Sequence, residues 1–348
     1  MRADAMQRVL TTLGHREPDR VPLFLLLTMH GAKKLGLSIQ DYFARPEHVV
    51  EGQLRLRAKF GHDCYYGFFH AALEIAAWGG EVVFRDDGPP NTGAPPIKDV
   101  ESILRLVPPL PKDDPGLRTV LAALAGLKAR SNGDAPIIGV VMSPFSLPAM
   151  QLGLDRYFEL LNERRDLLKL LLEINQEFCV AWARAQLAAG ATAICYFDPL
   201  ASPSMVPRDL YAATGWETAK STIARINGPT ATHLASGRCH TILDLLIQTG
   251  TAAIAVSADE NLADLKRQVA GRVSVIGNLN GIAMRHWSAA EAEERVKQAI
   301  RAAAPGGGFI LADHHGEIPF QVPDDVLMAI AEAVRTHGRY PIVGADLP

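Results

Sequence analysis

Eight short apolar runs recur along this chain, each separated from the next by a stretch with helical patterning. That recurrence limits the fold more than any other feature. The runs are Val21–Leu27, Cys64–Phe69, Ile137–Met142, Ala191–Phe197, Thr230–Leu234, Ala252–Val256, Val273–Ile276 and Gly308–Leu311. Nearly every position in them is apolar, as expected of strands buried on both faces of a parallel sheet. Between them, Asp155–Ala189 repeats apolar residues at helical spacing and breaks near Arg164–Asp166. Ser288-Ala-Ala-Glu291 is a capping-box pattern that opens a helix to about Ala303, and Asp324–Val334 predicts a final helix. Gly190, Gly250 and Gly306–Gly308 punctuate the helix ends.

Eight strands alternating with helices admit a doubly wound open sheet or a barrel. The first run ends in Thr28-Met29-His30-Gly31, without the glycine fingerprint that usually follows the first strand of a doubly wound fold. The expectation is therefore an α/β chain folded as a (β/α)8 TIM barrel, with an N-terminal helical extension. A length of 348 residues suits one such domain spanning 1–348. The region 79–115, rich in Pro, Gly and Asp, reads as a surface insertion after the second strand with room for a short hairpin.

A hydrophobic share of 48% with 21% charged residues describes a globular chain with a large core rather than a disordered one. The net charge of −3 gives no electrostatic basis for binding nucleic acid or an anionic membrane. The first twenty residues carry scattered charges and read as neither signal peptide nor anchor. Val21–Met29 is far shorter than the ~20 residues of a membrane helix. Cys64, Cys179, Cys195 and Cys239 lie far apart, as reduced thiols of a cytoplasmic protein would. The expected assembly is a monomer or homodimer acting on a small-molecule substrate.

In a barrel of this kind, chemistry collects just past the C-terminal ends of the strands. That rule selects His30, His70, Ser143, Asp198, His233, Ser257 with Asp259, Asn278 with Asn280, and Asp313-His314-His315. Five of the eleven histidines fall among them, more than scatter would place there. Converging imidazoles and carboxylates suit a divalent metal such as zinc, with His233 and His315 as ligands and Cys239 adding a thiolate if its loop folds back. Without a metal they would bind substrate. Asp198 can act as a base or orient a histidine. His30, His70, Ser143, Asn278 and His314 are candidate substrate contacts. Glu74 sits either in the barrel mouth or on the wet face of a helix.

The order of short motifs resembles the uroporphyrinogen decarboxylase superfamily, and most closely its corrinoid-dependent methyltransferase branch. The opening carries Arg8-Val-Leu and His15-Arg-Glu-Pro-Asp-Arg-Val-Pro22. Trp78-Gly-Gly-Glu-Val-Val-Phe, Asp87-Gly-Pro-Pro90 and Ser143-Pro-Phe-Ser-Leu147 follow. Asp198-Pro-Leu-Ala-Ser202, Gly277-Asn278 and Gly316-Glu-Ile-Pro319 complete the series.

The resemblance implies arginines after the first strand in the decarboxylases, gripping substrate carboxylates; Leu23 to Ala32 has none. For the methyltransferases it implies zinc held by His-x-Cys after strand five and Cys-Gly after strand eight, activating an acceptor thiol. His233 matches the histidine, but Ala235 and His315-Gly316 stand where the two cysteines belong, with Cys239 and His240 a few residues on. The implied activity is methyl transfer between a corrinoid, carried by a partner protein, and a small thiol or folate acceptor. Zinc or another divalent metal would sit on His233, His315 and Cys239 or Asp313. Aromatic residues Tyr65, Tyr66, Phe68, Phe69 and Phe145 would line a mouth wide enough for the corrinoid. The competing expectation is a metal-free decarboxylase or lyase using His30, His233 and Asp198 as acid and base. A non-catalytic binding protein is a third.

Overall fold

The computed structural model describes residues 4–342. Seven parallel strands form one sheet: β1 (Tyr65–Tyr66), β4 (Ile137–Met142), β5 (Ala193–Phe197), β6 (Thr230–His233), β7 (Ala253–Ala255), β8 (Ser274–Leu279) and β9 (Phe309–Asp313). They lie side by side in chain order. Two short antiparallel strands, β2 (Val82–Val83) and β3 (Asn91–Thr92), pair within the region 79–115, followed by a 3-10 turn at Val100–Arg105.

The sheet curls, and its edge strands approach each other across the extended segment 21–27. Here the structure departs from the expected first strand. The segment makes a single parallel bridge, Leu23 to Leu311 of β9, in which the Phe24 amide donates to Leu311 O at 2.8 Å and Leu311 N to Pro22 O at 2.9 Å. Toward β1, one backbone bond, Asp63 N to Leu23 O at 2.7 Å, is supplemented by side chains. The Asp63 carboxylate accepts from Leu23 N at 2.8 Å and pairs with Arg8 and Arg20 at 2.7 Å each. Gln53 donates to Leu27 O at 2.6 Å and accepts from Tyr66 N at 3.0 Å. The second run is likewise shortened, to the two residues of β1. Above it, the β4 edge is completed by the Gln186 amide, bonded to both N and O of Val140, and by Glu74, which accepts from Met142 N at 3.0 Å. A backbone polar group left unpaired there would cost free energy, so these side chains hold the wall together. The result is a curled parallel α/β sheet of the TIM-barrel type.

The helices follow their punctuation. Leu154–Glu163 and Arg165–Ala189 divide where the pattern breaks, and Gly190 ends the second. Ser288 and Glu291 form the capping box of Ala289–Ala303. The last helix, Asp324–His337, runs three residues further than its apolar pattern. Strand residues alternate between two environments. Ile194 and Tyr196 pack outward among helices, while Cys195, Ala253, Ala255, Ile276, Ile310 and Ala312 face inward in a separate cluster with Phe24, Leu26 and Tyr66. Among the described residues no helix is long and apolar enough to cross a membrane.

Candidate active site

Three imidazoles meet where β6 and β9 end. His233 is the last residue of β6, on the inward side of the alternation, and stacks at 5.3 Å on Phe197 of β5. His314 and His315 follow β9 directly. The Ser236 loop joins the two strand ends: Ser236 N donates to His314 O at 2.8 Å, and its hydroxyl shares a 2.9 Å hydrogen bond with His315 Nδ1. The Ser257 hydroxyl donates to Ser236 O at 2.8 Å, and Asn278 Nδ2 donates to Ser257 O at 2.9 Å, extending the network across β7 and β8. Ala235 and Ser236 both adopt left-handed backbone, φ 47° and 69°, which turns the loop sharply over the site.

The protonation of two imidazoles follows from their partners. A backbone N–H can only donate, and Ala235 N donates to His233 Nδ1 at 3.0 Å while Ala258 N donates to His314 Nδ1 at 3.1 Å. Each neutral ring therefore carries its proton on Nε2. Both Nε2 atoms are buried and have no protein partner. Burial, with His315 and His314 nearby, holds His233 down to about 3, and burial also lowers His314 and His315. The site thus presents neutral N–H donors.

Buried carboxyl groups belong to the same strand end, at Asp313 and Glu317. Asp313 Oδ2 accepts from the amides of His315 at 2.8 Å and Gly316 at 2.9 Å, and Oδ1 has no partner. Burial raises this group to about 6 despite those amides. Glu317 accepts from the Thr28 hydroxyl and is raised to about 7 by burial, with Asp313 adding to the shift. Tyr66 donates to Gly316 O at 2.8 Å. Tyr66 is among the aromatic residues expected at the mouth, whereas Glu317 and Thr28 are not among the residues that the strand-end rule selects. The signal available was the Gly316-Glu-Ile-Pro319 motif, whose glutamate directly follows the glycine at the site.

Other candidates lie elsewhere. Asp198 bonds the hydroxyls of Ser143 at 2.5 Å and Ser146 at 2.6 Å, with Oδ2 unpartnered, and burial raises it to about 6. Its electrostatic neighbours are Tyr157, Tyr196 and Tyr211, not the imidazoles, although its amide donates to His233 O at 2.8 Å. Ser143 is thereby engaged with Asp198 rather than open to substrate. His30 is fully buried with both ring nitrogens unpartnered, near the Phe320 ring, and burial holds it near 3. His70 lies between the Phe43 and Phe84 rings, held to about 4 by burial. Glu74 is on neither of its expected surfaces: it is buried in the wall beneath Met142.

The proposed metal set is not assembled. Among the described residues no group of three or more His, Cys, Asp or Glu is placed to hold a metal ion. Cys239 is wholly buried in the outer core, and burial beside Glu260 pushes its thiol well above the usual value, whereas a metal-ligating cysteine is a thiolate. A zinc ligand nitrogen must also be unprotonated, and the amide on His233 Nδ1 leaves the proton on Nε2. These residues, as arranged, do not fit zinc. All four cysteines are free and buried.

Comparison with known proteins agrees with the fold. A methyltransferase from Methanosarcina mazei superposes with a TM-score of 0.87 at 20% identity, covering 96% of this chain and 99% of that one. A uroporphyrinogen decarboxylase of Xylella fastidiosa is 26% identical over 95% of this chain and 98% of its own length. The methylcobamide:CoM methyltransferase MtaA of Methanosarcina barkeri is 25% identical over 61% of this chain and 62% of its own length. The family model for uroporphyrinogen decarboxylase (URO-D) matches residues 4–337. With nearly its whole length matched by that model, the chain belongs to the uroporphyrinogen decarboxylase family.

Proposed function

We propose that this protein, acting as a single barrel domain, transfers a methyl group between a corrinoid carried by a partner protein and a small acceptor such as a thiol or folate. Hydrogen-bond donors, rather than zinc, steady the acceptor. The observation that carries the reading is that Gly316 adjoins two buried groups with an unpartnered atom each, His233 Nε2–H and the Asp313 carboxyl that accepts the Gly316 amide. His314 Nε2–H and the raised carboxyl of Glu317 are next to them in the chain. The carboxylate of Asp313 or Glu317 takes the acceptor's proton. The resulting anion is held by the imidazole N–H donors, in a setting too dry for water to compete. A methylated corrinoid delivered to the mouth would supply the methyl group to that anion and would keep the bonding pair of the bond that breaks. Asp198 positions the site through its amide bond to His233 O. The absence of arginine from Leu23 to Ala32 speaks against a many-carboxylate porphyrinogen as substrate.

A second reading, metal-free decarboxylation or lyase chemistry, is favoured by the same raised carboxyl groups, which can also donate a proton near neutrality. To separate the two, purified protein is given methylcobalamin, or a methylated corrinoid protein, with a thiol or folate acceptor, and loss of the methyl-corrinoid spectrum is followed. Transfer that disappears in His233→Phe supports methyl transfer. No transfer to either acceptor sinks it, and release of carbon dioxide from small carboxylated substrates then tests the alternative.

A further inference from the structure

The axis of a barrel of this type is normally filled by layers of Val, Ile and Leu. Here four inward positions on three adjacent strands are small: Cys195 on β5, Ala231 on β6, and Ala253 and Ala255 on β7. Between them lies a pocket of about 130 Å³ with an almost wholly apolar lining, which reaches the surface beside the exposed Leu10 and Ala252. The helix Ala5–Leu13 covers most of the lower end with Met6, Val9, Leu10 and Leu13, and His233 and Tyr66 line the end beneath the mouth. His233, a donor in the proposed reaction, forms part of its upper end, while Asp313, Glu317 and His314 do not line it.

We propose that this cavity is a binding site for a small uncharged apolar molecule or group of about benzene size. An apolar cavity of ~150 Å³ is known to stay dry and to take up benzene or xenon, because water placed there would lose its hydrogen bonds. A cavity left empty also destabilises its walls by the contacts they lack, so an occupant that restores those contacts is bound in preference to water. The inference stands on the cavity alone and does not depend on the methyltransferase reading.

The test uses the full chain. Thermal unfolding is measured with and without benzene, and xenon uptake is read as electron density in a pressurised crystal. Benzene at ten times its dissociation constant is expected to raise the folding equilibrium constant about tenfold, with xenon density on the barrel axis. Ala255→Leu fills the space; it is expected to abolish the benzene response and to leave the ligand-free protein at least as heat-stable as wild type. No benzene shift and no axial xenon density in wild type would overturn the proposal, as would an Ala255→Leu protein that still responds fully to benzene. If Ala255→Leu does not fold, the wild-type measurements decide alone. A series from benzene to n-butylbenzene identifies the source of the occupant. Affinity that falls with chain length marks a closed site for a separate small molecule, and affinity that rises marks a site continuous with the mouth that holds the apolar end of a larger ligand.

Discussion

Gly316 and His233 meet face to face at the mouth: a Cβ built on Gly316 would lie 3.1 Å from His233 Nε2, and 2.8 Å from Phe197 Cε2. Gly316 also holds φ 88°, where a side chain is strained. Gly316→Ala should destabilise the fold by about 1–2 kcal/mol from backbone conformation alone. By displacing the imidazole it should also reduce turnover on the order of 10²-fold. Urea unfolding and steady-state kinetics on the same preparation check both. Full turnover in the variant would show that the ring position is unimportant.

Asp63 anchors the segment 21–27 by holding Arg8, Arg20 and the Leu23 amide together. Asp63→Ala would remove the carboxylate that pairs Arg20, while Arg8 keeps its two bonds to Asp19. The expected loss is about 3–5 kcal/mol, the range for breaking a buried ion pair, read as the shift in urea midpoint. A loss below about 1 kcal/mol would mean that water replaces the carboxylate readily.

Glu74 gives the fold a pH dependence of known sign. Burial raises its carboxyl from 4.5 to about 8, so between those values the folded chain holds a proton that the unfolded chain releases. Stability from this group is therefore full below about pH 4.5 and declines as pH rises toward 8. The buried imidazoles of His30, His62 and His233, held near 3, act oppositely: their contribution is full above pH 6.5 and declines as pH falls toward 3. Comparing wild type with Glu74→Gln cancels the imidazoles. The amide keeps an oxygen for Met142 N, so the variant should match wild type near pH 4 and exceed it by at least about tenfold in folding equilibrium constant near pH 9. Equal pH profiles would place Glu74 in contact with water.

Methyl transfer should increase as pH rises through about 6 to 7, because the carboxylates of Asp313 and Glu317 accept a proton only when ionised. Asp313→Asn and Glu317→Gln, made singly and together, identify which one carries the limb. A flat profile in wild type would remove both from the role.

His233→Phe keeps the ring's shape and its contact with Phe197 while deleting the Nε2–H donor and the Nδ1 acceptor of the Ala235 amide. Activity should fall about 10²–10³-fold, the usual loss for one donor to a developing anion, with a loss of about 1–3 kcal/mol in stability from the stranded amide, read as a lower Tm. Treating wild type with a strong zinc chelator should leave its activity intact. Inactivation by the chelator, with zinc recovered in stoichiometric amount, would restore the metal reading of His233 and His315.

Much of the scaffold could be read from local pattern. Ile137–Met142 was placed to the residue because a run apolar on both faces needs no distant partner to be recognised. The capping box at Ser288 works through residues three apart. The segment 21–27 misled because its pairing is non-local: Gln53 and Asp63 take the places of backbone partners, and nothing in the run itself announces them. The strand-end rule found His233, His314 and His315. It also selected His30, buried near Phe320 with Lys33, Lys34 and Asp324 as charged neighbours, and His70, which lies between two phenylalanine rings. Cys239 could not be judged by its distance along the chain, since six residues past His233 can fold into the core as readily as into the site. The tautomers were invisible for the same reason, because they depend on which backbone amide happens to face Nδ1.

The wall between β1 and β4 is closed by the amide of Gln186 and the carboxyl of Glu74, and the neighbouring seam by Gln53. A main-chain hydrogen bond is common to every residue type except proline and survives most mutations. A closure made of side chains is instead encoded in particular codons. Changes at a few such codons loosen these seams while the backbone bonds of β1 to β4 and of Asp63 to Leu23 remain, giving descendants of this sequence a route to a wider opening that a wholly backbone-sealed barrel does not have.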